Sequence, residues 1–249
     1  MHPRLQKAFD NSRVLKVISG LNNFDANSVA AIVKAADRGG ATFVDIAADP
    51  DLVRLVRQLT NLPICVSAVE PDKFAIATQA GADLIEIGNF DSFYAQGRRF
   101  EAEEVLALTR KTRSLLPDIT LSVTVPHILT LDQQVQLAEE LVQAGADIIQ
   151  TEGGTSSQPR SAGTLGLIEK AAPTLAAAYE ISHAVPVPVL CASGISSVTV
   201  PMALAAGAKG VGVGSAINQL NNEVAMVAAV RSLVEALEGL KVESLQVES

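Results

Sequence analysis

Four ionisable residues lie inside or directly after short apolar segments, where charged side chains are uncommon. Lys16 interrupts residues 14–18, Asp45 and Glu86 each interrupt a β-branched run, and Glu152 follows a third such run. A lysine removed from water can form Schiff bases, and a carboxylate in apolar surroundings can transfer protons near neutral pH. We therefore predict that Lys16, Asp45, Glu86 and Glu152 are catalytic.

The same residues also have a purely structural interpretation. Lys16 could form an internal ion pair with Asp45 or Glu86 that only fills the interior, and buried ion pairs are weak evidence for function. His127 is a further candidate for proton transfer, although a lone histidine in a loop often has no catalytic role. The residues alone leave both interpretations open.

Three glycine-containing segments predict an anion site. Each follows a predicted strand and lies near a hydroxyl residue; the predicted phosphate-binding residues are Gly153, Gly154, Gly194, Ile195, Gly214 and Ser215. Glycines let backbone N–H groups approach an anion, and a helix N-terminus adds partial positive charge. In many barrels the phosphate binds after strands seven and eight. The alternative is that these glycines only make tight turns.

The elements that must position these residues follow a repeated pattern. Four segments begin with Gly-Ala and continue into an apolar run, at residues 40–46, 81–87, 145–151 and 207–213. A glycine after a helical stretch can end the helix, and a β-branched run is typical of a buried strand. Four further strands are predicted at residues 14–19, 63–67, 119–125 and 187–192.

Helical stretches alternate with these strands. They are predicted at about 25–41, 50–60, 71–80, 101–115, 130–144, 163–183, 196–206 and 221–238, with Asp25, Asp132 and Ser196 as N-caps. Eight alternating units in 249 residues predict an α/β fold, a single-domain (β/α)8 TIM barrel over residues 1–240 with a flexible tail at 241–249. An open doubly wound sheet is the alternative, but no Gly-x-Gly-x-x-Gly turn follows the first strand.

Side chains alternate between the two faces of a strand, which sorts the predicted barrel into an inside and an outside. The aliphatic face carries Val44, Ile46, Ile85, Ile87 and Ile149 and should pack against the helices. The polar face should point into the barrel; it carries Lys16, Asp45, Glu86, Ser122, Thr124, Gln150 and Glu152. The candidate catalytic residues are therefore expected to share one interior.

Composition excludes several function classes. A net charge of −8, no Trp, seven Phe and two Tyr argue against nucleic-acid binding. No apolar run reaches the roughly 18 residues that span a bilayer, and we expect no secretory signal. Cys65 and Cys191 lie in apolar runs, which indicates a reducing compartment, here the cytoplasm. No Cys/His cluster or His-x-x-x-His spacing occurs, so no metal site is predicted.

Residues 89–100 form a long predicted loop with four aromatic residues, Arg98 and Arg99. Such a loop at the catalytic end of a barrel is a candidate lid or subunit contact, which leaves a homo-oligomer open. The alternative is a structured loop that packs its own aromatic side chains.

Several segments resemble one family over nearly the whole chain, to about Leu240. They are residues 13–25, 44–47, 86–91, 150–154 and 191–196. The sequence is similar to hypothetical chloroplast reading frame 23, an uncharacterised family of cyanobacteria and algal plastid genomes. The resemblance implies an aldolase-type barrel in a phototroph, located in the plastid stroma where plastid-encoded, and brings no activity with it. More distantly, residues 207–217 look like the terminal segment of barrels that bind phosphorylated ligands.

Together these features predict an enzyme that acts on a small phosphorylated metabolite by lyase, aldolase or isomerase chemistry. Flavin mononucleotide is a variant ligand, because its phosphate could use the same glycine loops. The alternative is a non-catalytic barrel that senses a metabolite or binds a partner through residues 89–100.

Overall fold

A computed structural model describes residues 1–94, 96–153 and 157–239 of the chain. Eight parallel strands form a closed barrel in the order of the sequence, and β8 pairs with β1. The strands are β1 Val14–Gly20, β2 Phe43–Ala47, β3 Ile64–Ala68, β4 Leu84–Ile87, β5 Thr120–Thr124, β6 Ile148–Gln150, β7 Val189–Ala192 and β8 Gly210–Val213. The predicted (β/α)8 barrel is confirmed. Residues 241–249, predicted as a flexible tail, lie outside the described residues.

Eleven helices occur in the described part of the chain. They are α1 Pro3–Asp10, α2 Ala26–Gly39, α3 Pro50–Leu59, α4 Pro71–Gln79, α5 Asp91–Tyr94, α6 Ala102–Leu115, α7 Leu131–Gln143, α8 Gly163–Ala184, α9 Val200–Ala205, α10 Ser215–Asn218 and α11 Glu223–Glu238. The eight predicted helices correspond to α2–α4, α6–α9 and α11. The sequence did not predict α1 and α5 as helices; the short α10 lies where a turn was expected after β8.

Two of the three predicted N-caps are wrong. Asp25 does cap α2, because its carboxylate accepts from the backbone N–H of Ser28. Thr130, not Asp132, caps α7 and forms a capping box with Gln133. Thr199 rather than Ser196 precedes α9. Helix α7 nevertheless begins one residue from its predicted start, whereas α9 begins four residues later than predicted.

Two apolar layers hold the barrel together. Outward-facing aliphatic residues such as Val44, Ile46 and Ile85 pack against the helices, as the alternation predicts. Inside, the N-terminal end of the barrel is filled by one residue from most strands and closed from below by Leu5 and Phe9 of α1. Because this end is sealed by apolar side chains, the polar interior residues are left at the opposite end, where barrel enzymes carry their active sites.

Glycines on β8 bring the strands close together. A Cβ atom at Gly210 would lie 2.4 Å from Val14, and one at Gly212 would lie 2.9 Å from the Cβ of Ala192. Side chains at these positions would therefore force the barrel apart.

Candidate functional site

A cavity of about 800 Å³ opens at the C-terminal end of the barrel. Thr124, Gln150 and Gly212 line it near the ends of their strands, as do the last three residues of β1, and the loops after β4, β6, β7 and β8 add further lining residues. The volume lies in the range of pockets that bind small molecules. It is the place where a barrel of this architecture would hold a substrate.

Beneath the cavity, Lys16 is completely buried among polar partners. Its Nζ lies 2.6 Å from Glu86 Oε2, 3.2 Å from Asp45 Oδ2 and 3.0 Å from Gln150 Oε1. Gln150 donates in turn to Glu86 Oε1 at 2.8 Å. The predicted interior placement of these residues is confirmed. The ion pair of Lys16, which the sequence allowed with Asp45 or Glu86, forms with both carboxylates.

Hydroxyl groups complete this buried layer. Ser67 donates to Asp45 Oδ1 at 2.5 Å, and Ser122 donates to Glu86 Oε2 at 2.8 Å. Asp45 Oδ2 accepts no hydrogen bond from the described residues, although Lys16 Nζ faces it. The single lysine charge is thus closer to Glu86, and Asp45 is the less well compensated of the two carboxylates.

The pKa values of this layer follow from that geometry. Burial alone would lower the pKa of Lys16, but the charges of Asp45 and Glu86 outweigh it and raise that pKa above its ordinary value. Burial and the neighbouring Glu86 raise the pKa of Asp45 to about 6, against the opposing effect of Lys16. Lys16 is therefore a protonated ammonium at neutral pH, held by Glu86 and Gln150 and facing the carboxylate of Asp45.

Of the four predicted catalytic residues, Glu152 alone lines the cavity. Lys16, Asp45 and Glu86 lie one layer lower and are screened from the cavity by residues such as Gln150 and Thr124. Their catalytic roles stay predictions.

Glu152 is the centre of a polar cluster on the cavity wall. Its Oε1 accepts from the Tyr94 hydroxyl at 2.7 Å and from the backbone N–H of His127 at 3.2 Å, and it lies 3.1 Å from His127 Nδ1. Its Oε2 accepts from the backbone N–H of Asp91 at 3.3 Å. Only 4% of the Glu152 side chain is exposed, so its orientation is fixed by these contacts.

Asp91 joins this cluster from the loop after β4. Its Oδ1 lies 3.3 Å from His127 Nδ1, and its Oδ2 accepts from the Ser193 hydroxyl at 2.9 Å. Ser193 and Asn89, both on the cavity lining, adopt left-handed backbone with φ of 72° and 64°. Such strained non-glycine residues are concentrated at functional sites. The segments after β4, β5 and β6 therefore bring His127 Nδ1 together with the carboxylates of Asp91 and Glu152.

The pKa shifts in this cluster favour sharing of a proton between Glu152 and His127. Burial and the nearby Asp91 raise the pKa of Glu152, against the hydrogen bonds from His127 and Tyr94. Burial would lower the pKa of His127, but its hydrogen bond to Glu152 and the charges of Glu152 and Asp91 raise it. Burial and Glu152 raise the pKa of Tyr94, which keeps that hydroxyl a donor. The histidine and the glutamate can therefore exchange a proton.

The predicted anion-binding residues lie on the adjoining wall. Gly194, Ile195, Gly214 and Ser215 all line the cavity. Gly194 has a φ of 77°, and Gly214 precedes α10 without a side chain to cap it. Gly153 lies next to Pro173 and His127, outside the cavity lining that the structure describes. Gly154 lies outside the described residues.

Two further polar groups face the cavity. Among the described residues that line it, Lys170 of α8 is the one with a cationic side chain. Asn218 donates to the backbone oxygens of Ile18 and Ser19, and its buried Oδ1 accepts no hydrogen bond from the described residues. The sequence did not single out either residue, because each lies on a helix with no local motif.

The loop at residues 89–100 is packed against the barrel. Phe90 and Phe100 are fully buried with ring centroids 4.5 Å apart, and Arg98 lies over the Phe100 ring at 4.4 Å while pairing with Glu104. This supports the structured-loop interpretation. The packed aromatic residues fix the short α5, which delivers Asp91 and Tyr94 to Glu152.

No helix in the described ranges has the length and apolar character needed to cross a membrane. Cys65 and Cys191 are both buried free thiols.

The fold and the cavity define this chain as a (β/α)8 barrel with its candidate site at the C-terminal end of the strands. Its structure is similar to 3-hexulose-6-phosphate synthase, with a TM-score of 0.62 and 17% identity over 90% of this chain and 99% of that one. It is also similar to (S)-3-O-geranylgeranylglyceryl phosphate synthase from Thermoplasma acidophilum, with a TM-score of 0.62 and 14% identity over 94% and 96% of the two chains.

Sequence comparison identifies the family. Residues 1–243 match the family described as "Protein of unknown function (DUF561)", and the chain belongs to it. The protein ycf23 of Cyanophora paradoxa is 44% identical over 228 residues, covering 91% of this chain and 93% of that protein. The ycf23 protein of Porphyra purpurea is 40% identical over 234 residues, covering 94% and 88%. The family resemblance stated from the sequence is confirmed.

Proposed function

We propose that this protein is an enzyme that binds a small phosphorylated metabolite and moves a proton on it, in a lyase, aldolase or isomerase reaction. The observation that carries the proposal is the position of Glu152. It lines the cavity and is held by His127 and Tyr94, while the glycine loops line the same cavity. In this proposal the proton-transfer group and the anion-binding loops share one space of metabolite size. Its place of action would be the cytoplasm or a plastid stroma.

The phosphate end is formed by the loops after β7 and β8. Gly194, Ile195 and the first residue of α10 line the cavity, and in this proposal their backbone N–H groups would hold the anion. Lys170 adds one positive charge to the lining. Two similar barrels, 3-hexulose-6-phosphate synthase and a synthase in complex with sn-glycerol-1-phosphate, support the proposal of a phosphorylated ligand.

The reacting end is formed by the Glu152 cluster. Each of these reaction classes includes reactions that remove a proton from a C–H group α to a carbonyl or from the β-hydroxyl of an aldol, and a carboxylate on the cavity wall is a suitable base for either. Glu152 would accept that proton, and His127 would stabilise the resulting acid or relay the proton onward.

The buried layer of Lys16, Asp45 and Glu86 would act through Gln150. Lys16 and Glu86 fix both ends of the Gln150 amide, which lines the cavity. In this proposal the three residues hold the cavity floor in place and supply a fixed charge distribution below the substrate.

A thermal-shift screen tests the phosphate site. Phosphate, sulfate, sugar phosphates, flavin mononucleotide and pyridoxal phosphate are compared on the wild type and on Ser215→Asp. A ligand at 100 times its Kd stabilises by about 2.7 kcal/mol, or about 5–10 °C for a chain of this size. We expect such a rise for a phosphorylated ligand and its loss in Ser215→Asp.

Matched control variants distinguish repulsion of a bound anion from an effect of the new charge on folding. Ser215 is exposed at the first position of α10, where an aspartate suits the helix dipole and repels only a bound anion. Ala26→Asp places the same charge at the first position of α2, outside the cavity lining. Ala26→Asp and Ser215→Ala should keep the ligand response. An equal response in Ser215→Asp and Ala26→Asp would contradict the phosphate site.

A further inference from the structure

We propose that Asp91, His127 and Glu152 bind a divalent transition-metal ion, with zinc or manganese as the chemical class. The sequence predicted no metal, because these residues are far apart in the chain and follow no ligand spacing. In the fold, one ligand atom from each lies within 4.8 Å of the others. The metal's chemical role rests on the proposed function, but its binding does not.

The distances between ligand atoms suit a metal ion. His127 Nδ1 lies 3.1 Å from Glu152 Oε1 and 3.3 Å from Asp91 Oδ1. Metal–ligand bonds of about 2.0–2.1 Å place neighbouring ligands about 3.0 Å apart in an octahedron and about 3.4 Å apart in a tetrahedron. Both distances from His127 fall between these limits, and the carboxylate oxygens of Asp91 and Glu152 lie within 4.8 Å of each other, so one ion could contact all three residues after a small adjustment of the carboxylates.

The outer contacts orient these ligands. Tyr94 donates to Glu152 Oε1, and Ser193 donates to Asp91 Oδ2, which leaves Asp91 Oδ1 turned toward His127. Hydrogen bonds of this kind fix the ligating groups of metal sites and are energetically important there. The three side chains are exposed by only 9%, 11% and 4% for His127, Asp91 and Glu152.

The donor set indicates the class of metal. One imidazole nitrogen with two carboxylate oxygens suits zinc, manganese or iron(II), whereas magnesium and calcium prefer oxygen ligands alone. Asp91 and Glu152 line the cavity, so the remaining coordination positions face the substrate space. Three protein ligands with an open position are typical of a catalytic rather than a structural site.

A bound ion is compatible with the base proposed above. Coordination through Glu152 Oε1 leaves Oε2, which accepts from the Asp91 backbone N–H, free to take a proton. The ion would polarise the carbonyl or hydroxyl oxygen beside the carbon that loses that proton.

Equilibrium dialysis tests the site on the full chain. The protein is stripped with chelator, dialysed against Zn²⁺, Mn²⁺ or Mg²⁺, and its metal content is measured. We expect one Zn²⁺ or Mn²⁺ per chain and weaker Mg²⁺ binding. His127→Ala and Asp91→Asn should weaken binding at least tenfold, and Ser193→Ala about tenfold through the outer contact.

A control variant and a spectroscopic measurement show whether the metal binds at His127. His183→Ala removes an exposed histidine whose Nδ1 contacts the backbone oxygen of Tyr179, and it should bind as the wild type does. Cobalt(II) absorption adds a coordination signature that His127→Ala should lose. No saturable binding, or equal binding in the His127 and His183 variants, would overturn the metal site. In that case a phosphate response that is lost in Ser215→Asp would still support the proposed function.

Discussion

Removal of the Lys16 charge is the perturbation for which the fold makes the most definite prediction. Lys16→Met keeps a side chain of similar length but leaves Asp45 and Glu86 buried together without a counter-charge. Breaking a buried ion pair by removing one partner costs about 3–5 kcal/mol. At about 2–4 °C per kcal/mol for a chain of this size, the Tm should fall by about 6–20 °C.

Thermal unfolding followed by far-UV circular dichroism measures this effect. Lys73→Met is the matched control, because Lys73 is exposed and pairs with Glu70 on the surface. Its loss should change stability by less than about 1 kcal/mol. The triple variant Lys16→Met, Asp45→Asn and Glu86→Gln should recover part of the lost stability, since it removes the uncompensated charges.

Lowering the pH should also reduce the difference in Tm between Lys16→Met and the wild type. Without the lysine, the buried Asp45 carboxylate favours its neutral form more strongly, so the variant gains stability as Asp45 is protonated at low pH. A Tm for Lys16→Met within about 2 °C of that of Lys73→Met, which corresponds to about 1 kcal/mol or less, would refute the argument that this layer depends on the lysine charge.

Asp45 and Phe100 each give a further prediction. The pKa of Asp45 is raised to about 6, so its stabilising contribution is complete below about pH 4 and is lost as the pH rises through about 6. Between about pH 4 and pH 6, the free energy of unfolding of the wild type relative to Asp45→Asn should therefore fall by up to about 3 kcal/mol, as measured by urea titration. A difference in unfolding free energy that does not depend on pH would count against the raised pKa. Phe100→Ala should cost about 3–5 kcal/mol, because Phe100 is fully buried against Phe90; unchanged urea stability would show that the loop does not depend on this packing.

The interior layer could be predicted from the sequence because it depends on local alternation. Asp45 and Glu86 stand between aliphatic residues on their strands, so period-two geometry alone places them inside the barrel. Lys16 follows by the same argument, and the repeated Gly-Ala segments mark where the strands begin. The alternation and the Gly-Ala segments both involve residues close together in the sequence, and both are found in the closed barrel.

The cluster around Glu152 and the closing helix α1 could not be predicted in this way. Asp91, His127 and Glu152 lie in the loops after β4, β5 and β6, and only the closure of the barrel brings these loops together. Tyr94 reaches Glu152 because Phe90 and Phe100 anchor their loop, which is a tertiary effect. The role of α1 likewise depends on the shape of the barrel end that it covers.

Solvent exchange tests the proposed role of Glu152 most directly. A phosphorylated ligand identified by the thermal screen is incubated with the protein in deuterium oxide, and the loss of proton signal beside its carbonyl is followed by NMR. We predict exchange with the wild type and a loss of at least about a hundredfold with Glu152→Gln, which keeps the side-chain shape but removes the base. Glu139→Gln, which changes an exposed glutamate of α7 outside the cavity lining, should exchange as the wild type does. A bound ligand that shows no exchange, or exchange that persists in Glu152→Gln, would contradict this role.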